Sequence, residues 1–305
     1  DIEAPVASYW PEFAVNGKER ITIRHVLTHT SGVVSFPDYR RDLSDPDWWL
    51  DPKRIAASFA PAAAEWEPGA QHGYHGLSFG WLLGEVVRRA AGATLGTVFR
   101  QEVAEPLGID FWIGLPEEHH ARVAHLIDAP PVEDPTVAAY LSVFIPDTIS
   151  GRAHFVGERG FMEVAADFND PAAWRAEIPG GGGIGAARGI ARMYAALAAG
   201  GELDGVRIVS KESTATHTAQ AVSGFDGVLL FDTRFALGYM LPTPFTAMGP
   251  NDEAFGHGGL GGSLGFADPV RNVAIGYAMN QIQFPNLTTT TRAQALVNAL
   301  YEGLG

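Results

Sequence analysis

The sequence has no cysteine in its 305 residues, which excludes disulfides, thiolate catalysis and cysteine-held metals and leaves the redox compartment open. Lysine is almost as scarce, with Lys18, Lys53 and Lys211 the full set. Any chemistry that needs a lysine from this chain must use one of them. No apolar run reaches the roughly 18 residues that mark a transmembrane helix. Basic charge is also short, at 21 Lys and Arg against 35 Asp and Glu, a formal net charge of -14. Such a surface repels phosphate backbones and anionic lipid, so neither nucleic acid nor an anionic membrane is expected as a partner.

What is present is an apolar fraction of 46%, enough for one large domain or two intimately packed ones. Thr22 is a candidate N-cap for a helix over "IRHVLTHTS", closed by Gly32. Pro52 to Phe59 reads as a second helix. From Ser78, apolar residues at Phe79, Leu82, Leu83, Val86, Val87 and Ala90 recur at helical spacing, and Gly92 stops them. Thr94 caps a further helix that should end before Pro106. Residues 113 to 182 are irregular and close on Pro179-Gly180-Gly181-Gly182-Gly183, so loops and short helices over one face of a cleft are expected. Ile190, Met193, Tyr194 and Leu197 then mark a helix that stops at Gly200-Gly201.

Strand signals dominate the rest. Val206 to Val209, Val228 to Phe231 and Phe235 to Met240 are strand candidates, and "DPVRN" joins Ser263–Ala267 to Val273–Met279 as a hairpin. Thr291 opens a terminal helix expected to bury Leu296, Val297, Leu300 and Tyr301. The fold class is therefore α+β: an antiparallel sheet flanked by helices, plus a mostly helical region. Residues 1–200 form the helical region and 201–305 the sheet and C-terminal helix, within one compact catalytic unit.

The stretch "FGHGGLGGSLGFADP" contains Gly261-Gly262-Ser263-Leu264-Gly265, which satisfies the G-x-S-x-G pattern of a nucleophile elbow. That elbow needs a histidine downstream of its serine. The last histidine is His257, six residues before Ser263, and Ser263 leads into a hairpin instead of a helix. Ser263 is therefore expected to be structural.

Four segments in order resemble the serine β-lactamase/penicillin-binding-protein superfamily, in its class C-like branch and most closely the family VIII carboxylesterases. They are "ITIRHVLTHTSG" (Ile21 to Gly32), "WEPGAQHGYHGLSFGWLLGEVVRRAAG" (Trp66 to Gly92), "GGGGIGAARGIARMYAALAAGG" and "FGHGGLGGSLGFADP". The resemblance implies acyl transfer to a serine activated by a lysine one helical turn away, S-x-x-K, with a tyrosine assisting proton transfer. By that resemblance Tyr74 matches the tyrosine of Y-x-N, with Gly76 in the asparagine position. His257-Gly258-Gly259 matches K-T-G, with His257 as a donor or partial cation and Leu260 supplying an oxyanion N–H. Both departures resemble the esterase branch and put efficient β-lactam hydrolysis in doubt. Small acyl esters or amides are the expected substrates, with weak β-lactamase activity secondary. No metal or organic cofactor is implied. His25 and His29 lie four apart without a third ligand, so capping or core packing is expected of them, and His119-His120 reads as a solvated loop.

No S-x-x-K occurs in the chain: Val15, Leu50 and Ile208 stand three residues before the lysines. The nucleophile serine and lysine are therefore expected on sequence upstream of Asp1. Three explanations stand open: a piece of a longer active enzyme, one chain of a pair in which a separate N-terminal segment completes the sheet, or a non-catalytic scaffold on the same fold.

Overall fold

The computed structural model describes residues 1–39, 45–155, 164–244, 246, 248–283 and 291–305. Among these, the strands are β1 Phe111–Ile113, β2 Gly183–Gly185, β3 Glu202–Leu203, β4 Val206–Arg207, β5 Val222–Phe225, β6 Asp232–Phe235, β7 Phe255–Gly258, β8 Leu264–Asp268 and β9 Val273–Tyr277. All the pairs are antiparallel. The main sheet runs β5-β6, then Met240 alone, bridged to Phe235 and to Gly256, then β7-β8-β9.

Side chains alternate across this sheet and each face is covered by one helix. Leu264 and Phe266 of β8 pack with Ala293 and Val297 of the C-terminal helix Thr291–Leu304. Phe255 and Ala267 pack with Tyr194 and Leu197 of the helix Ala187–Ala198. That second helix lies close because Gly265 and Gly276 face it. A Cβ on Gly265 would stand 2.4 Å from the Tyr194 ring, and one on Gly276 2.3 Å from the Ala187 carbonyl. A further core cluster, rich in aromatic rings, lies in the helical region, where Trp10, Phe13, Phe36, Trp48, Phe59 and Trp81 meet.

The helices Pro52–Phe59 and Gly76–Ala91 form where their periodicity places them, the second ended by Gly92 at φ +71°. The long irregular stretch holds short helices, among them Pro135–Leu141, Ile149–Ala153 and Pro171–Arg175, while 156–163 lies outside the described residues. Its glycines pack backbone to backbone on the first turn of Gly76–Ala91. A Cβ on Gly180 would be 1.9 Å from the Gly76 carbonyl oxygen.

Five expectations are corrected. Val228 to Phe231 is a turn that buries Val228 and Leu229 and leaves Leu230 exposed, because Asp226 accepts from the N–H groups of Val228 and Leu229 at 2.9 and 2.8 Å and curls the chain. A four-residue apolar run has no period to tell a strand from a turn that points inward. Phe235 to Met240 leaves the sheet after Phe235 and returns only at Met240. The helix after Thr94 continues past Pro106 to Leu107, taking π geometry over Arg100–Ala104; that wider turn accommodates a residue without an N–H. The helix capped by Thr22 is only Ile23–Leu27, since His29 at φ +57° turns the chain out well before Gly32. Leu296 is 50% exposed, because Ala293, Val297 and Tyr301 occupy the sheet-facing stripe and Leu296 lies about 100° around from Val297.

Candidate active site

Tyr74 ends the segment that leads into the helix Gly76–Ala91, and His257 lies on β7. The fold brings these two rings to 5.6 Å between centroids. Around Tyr74 stand His29 at 4.9 Å, His154 at 5.9 Å and the Phe235 ring, parallel to within 7° at 6.1 Å. Two half-buried groups from opposite ends of the sequence thus share one enclosure of imidazole and phenyl rings.

The tyrosine is held by its main chain. Its N–H donates to both carboxylate oxygens of Asp226, at 3.1 and 3.0 Å. Asp226 is fully buried and also accepts from the Thr233 hydroxyl at 3.2 Å. His72 Nε2 hydrogen-bonds that hydroxyl at 2.9 Å and lies 4.0 Å from the carboxylate. Burial raises the Asp226 pKa, and the N–H groups of Leu229, Val228 and Tyr74 oppose the rise. Burial first, and the Asp226 charge second, push the Tyr74 hydroxyl above its ordinary value. Both effects keep the Tyr74 phenol protonated.

The imidazoles around it are neutral. Burial pulls His257 down, partly offset by its bond to the Gly258 carbonyl. That carbonyl can only accept, so Nδ1 of His257 carries the proton and Nε2 keeps its lone pair. Both roles expected for His257 are therefore disfavoured: the lowered pKa opposes a partial cation, and with its one N–H given to Gly258 the ring offers the site an acceptor instead of a donor. His29 accepts the His75 N–H at Nδ1, 3.3 Å away, and burial holds it well below its usual value. His75 lies between the Ser31 and Ser78 hydroxyls, at 3.2 and 3.0 Å, and burial pushes it down to about 3.

Gly258 ends β7, and Gly259, Leu260 and the next residues form the turn into β8. The Gly259 N–H donates to the Ser263 carbonyl at 2.7 Å, and the Gly262 N–H to Gly259 at 3.0 Å. Leu260 sits in this turn, two residues beyond the strand, and packs against the cluster of Phe144, Ala165 and Ile282. Its N–H has no hydrogen-bond partner among the described residues. Ser263 precedes β8 of a hairpin and no helix follows it.

The other expected positions resolve differently. His25 completes the capping box of Ile23–Leu27: its N–H donates to Thr22 Oγ1 at 3.2 Å and its Nδ1 accepts the Thr22 N–H at 3.1 Å. His29 is core and turns toward Tyr74. His119 and His120 are half-buried on a 3-10 turn, against Trp112 and Trp174, so the solvated loop is corrected. Asp226, His154 and His75 were not singled out from the sequence. For Asp226 the Asp-Gly dipeptide marks a turn, but nothing local connects it to Tyr74.

Known proteins resemble this chain over nearly its whole length. The family described as Beta-lactamase matches residues 1–299. The esterase/β-lactamase LipL of Mycobacterium tuberculosis is 35% identical over 300 residues, covering 95% of this chain and 65% of LipL. A crystal structure of a family VIII carboxylesterase superposes with a TM-score of 0.84 at 36% identity, over 99% of this chain and 76% of that one. A penicillin-binding-protein homologue from Caulobacter crescentus gives 0.81 at 36% identity, with the same coverage. The chain thus spans about two thirds of the length of LipL.

Proposed function

Since the chain belongs to the β-lactamase family, we propose that it carries the Tyr74 and His257-Gly258-Gly259 half of a serine hydrolase of the esterase branch, acting on small acyl esters. One observation carries the reading: Tyr74 and His257 meet at 5.6 Å, one turn from a Leu260 N–H that has no partner among the described residues. In an acyl transfer, that N–H is suited to the oxyanion of the tetrahedral intermediate. Tyr74 passes the proton between nucleophile and leaving group, and His257 Nε2 orients a donor beside it.

A tyrosine above its ordinary pKa cannot act as base without a cation beside it. The proposal therefore includes a Ser-x-x-Lys pair on sequence upstream of Asp1, whose lysine supplies that charge. Consistent with a further segment, β9 is paired on one side only among the described residues. With Gly76 in place of an amide, β-lactams are poor substrates. The second reading, a non-catalytic scaffold, is motivated by the lack of S-x-x-K in residues 1–305.

The full-length protein should release p-nitrophenol from short acyl esters. Tyr74→Phe should lower kcat about 100-fold with little change in KM, the size expected for a lost general acid–base group. Full activity in that variant would remove Tyr74 from the chemistry, and no esterase activity in the parent would favour the scaffold.

A further inference from the structure

We propose that Asp226 is the positioning residue for Tyr74, acting on catalysis through the tyrosine's main chain and never touching the substrate. This rests on the reading of Tyr74 given above. The carboxylate is completely buried and receives the Tyr74 N–H on both oxygens, at 3.1 and 3.0 Å. The same group accepts from Val228 and Leu229 N–H and from the Thr233 hydroxyl. It therefore ties three segments together: Tyr74, two residues before the helix Gly76–Ala91, the 226–231 turn, and β6 through the Thr233 side chain.

A buried carboxylate is costly unless its lone pairs are filled, and charge-assisted bonds to N–H groups are the strong ones. Four donated hydrogens, the Tyr74 one shared between both oxygens, make five contacts to the carboxylate and hold it in place. Tyr74 is not within the helix that follows and gains no helical hydrogen bond at its N–H. Asp226 supplies that anchor instead. Thr233 and His72 extend the network behind the carboxylate, with His72 Nε2 at 2.9 Å from the Thr233 hydroxyl. Phe235, on the same strand as Thr233, lies parallel to the Tyr74 ring. The strand thus fixes the residue twice, at its N–H through Asp226 and at its ring through Phe235.

The experiment is a double-mutant cycle on p-nitrophenyl acetate hydrolysis by the full-length protein. Asp226→Asn keeps the side-chain size but turns an N–H toward groups that donate. It should lower kcat about tenfold with KM within about twofold, the pattern of an interaction made only in the transition state. In a Tyr74→Phe background the same substitution should have no further effect, because its influence runs through the tyrosine hydroxyl. Equal losses in both backgrounds, or an unchanged kcat, would overturn the proposal. If Asp226→Asn does not fold, Thr233→Val is measured in its place. It removes one donor to Asp226 and should lower kcat severalfold only when Tyr74 is present; no change, or the same loss in both backgrounds, rejects the role. A Tyr74→Phe variant with wild-type kcat sinks the reading of the site itself, a result separate from either failure.

Discussion

The hydroxyl of Tyr74 lies over the α-carbon of Gly76. A Cβ built on Gly76 would stand 2.5 Å from the tyrosine oxygen and 2.8 Å from Cζ. The position that holds asparagine in Y-x-N is here left without a side chain, and the phenol occupies part of that room.

Gly76→Ala should therefore reduce activity more than stability. The obstructed atoms belong to one side chain and not to the backbone, so the ring gives way before the fold does. The hydroxyl then leaves its place, and a displacement of about 1 Å in a catalytic group can cost about 100-fold in rate. We expect kcat for short acyl esters to fall at least tenfold while the melting temperature shifts by only a few degrees. A variant with intact kcat would show that the hydroxyl does not work from this position.

Residues Asp1 to Gly305 expressed alone should be esterase-null, poorly soluble and unlabelled by a fluorophosphonate probe. Supplying the upstream segment, in cis or as a separate peptide, should restore labelling on the added serine. Mass spectrometry locates the adduct. An adduct on Ser263 would revive the elbow excluded by the absence of a downstream histidine.

Stability should fall with acid below about pH 6.5, the ordinary histidine value. His29 and His75 are buried and neutral, with His75 pushed down to about 3 and His29 also well below its usual value. The unfolded chain binds more protons than the folded one between the folded and unfolded values. Stability is therefore complete above about pH 6.5 and is lost as pH drops toward the folded values, at about 1.4 kcal/mol per pH unit for each histidine. Urea unfolding at pH 7 and pH 5 measures this. His75→Gln should flatten the dependence, and an unchanged slope would mean that His75 is not held neutral.

Asp268 should be a structural anchor for the C-terminal helix. It is fully buried on β8 and accepts from Tyr301 Oη at 2.5 Å, Asn251 Nδ2 at 2.7 Å, and the Val270 and Arg271 N–H groups at 3.0 and 3.2 Å. Asp268→Ala leaves those donors unpaired and should cost about 2–4 kcal/mol in chemical denaturation. Tyr301→Phe removes one bond and should cost about 1 kcal/mol. Equal costs would mean that the turn N–H groups contribute nothing.

Repeated local patterns are legible in the sequence. The helices Gly76–Ala91 and Ala187–Ala198 and the hairpin around "DPVRN" follow from period, cap and turn chemistry, all set by near neighbours. Order along the chain also sufficed to reject Ser263 as a triad serine, because a missing downstream histidine is a property of the string. Tyr74 and His257 could be nominated from family-like motifs, but their meeting could not be derived from them. The strand expected from the sequence over Val228 to Phe231 is a turn in the structure, since the conformation of a short apolar run depends on what it packs against. Asp226 shows what tertiary structure alone decided. Its charge, its burial and its hold on Tyr74 arise from a contact across 152 positions, and no local spacing encodes a bond between residues that only folding brings together.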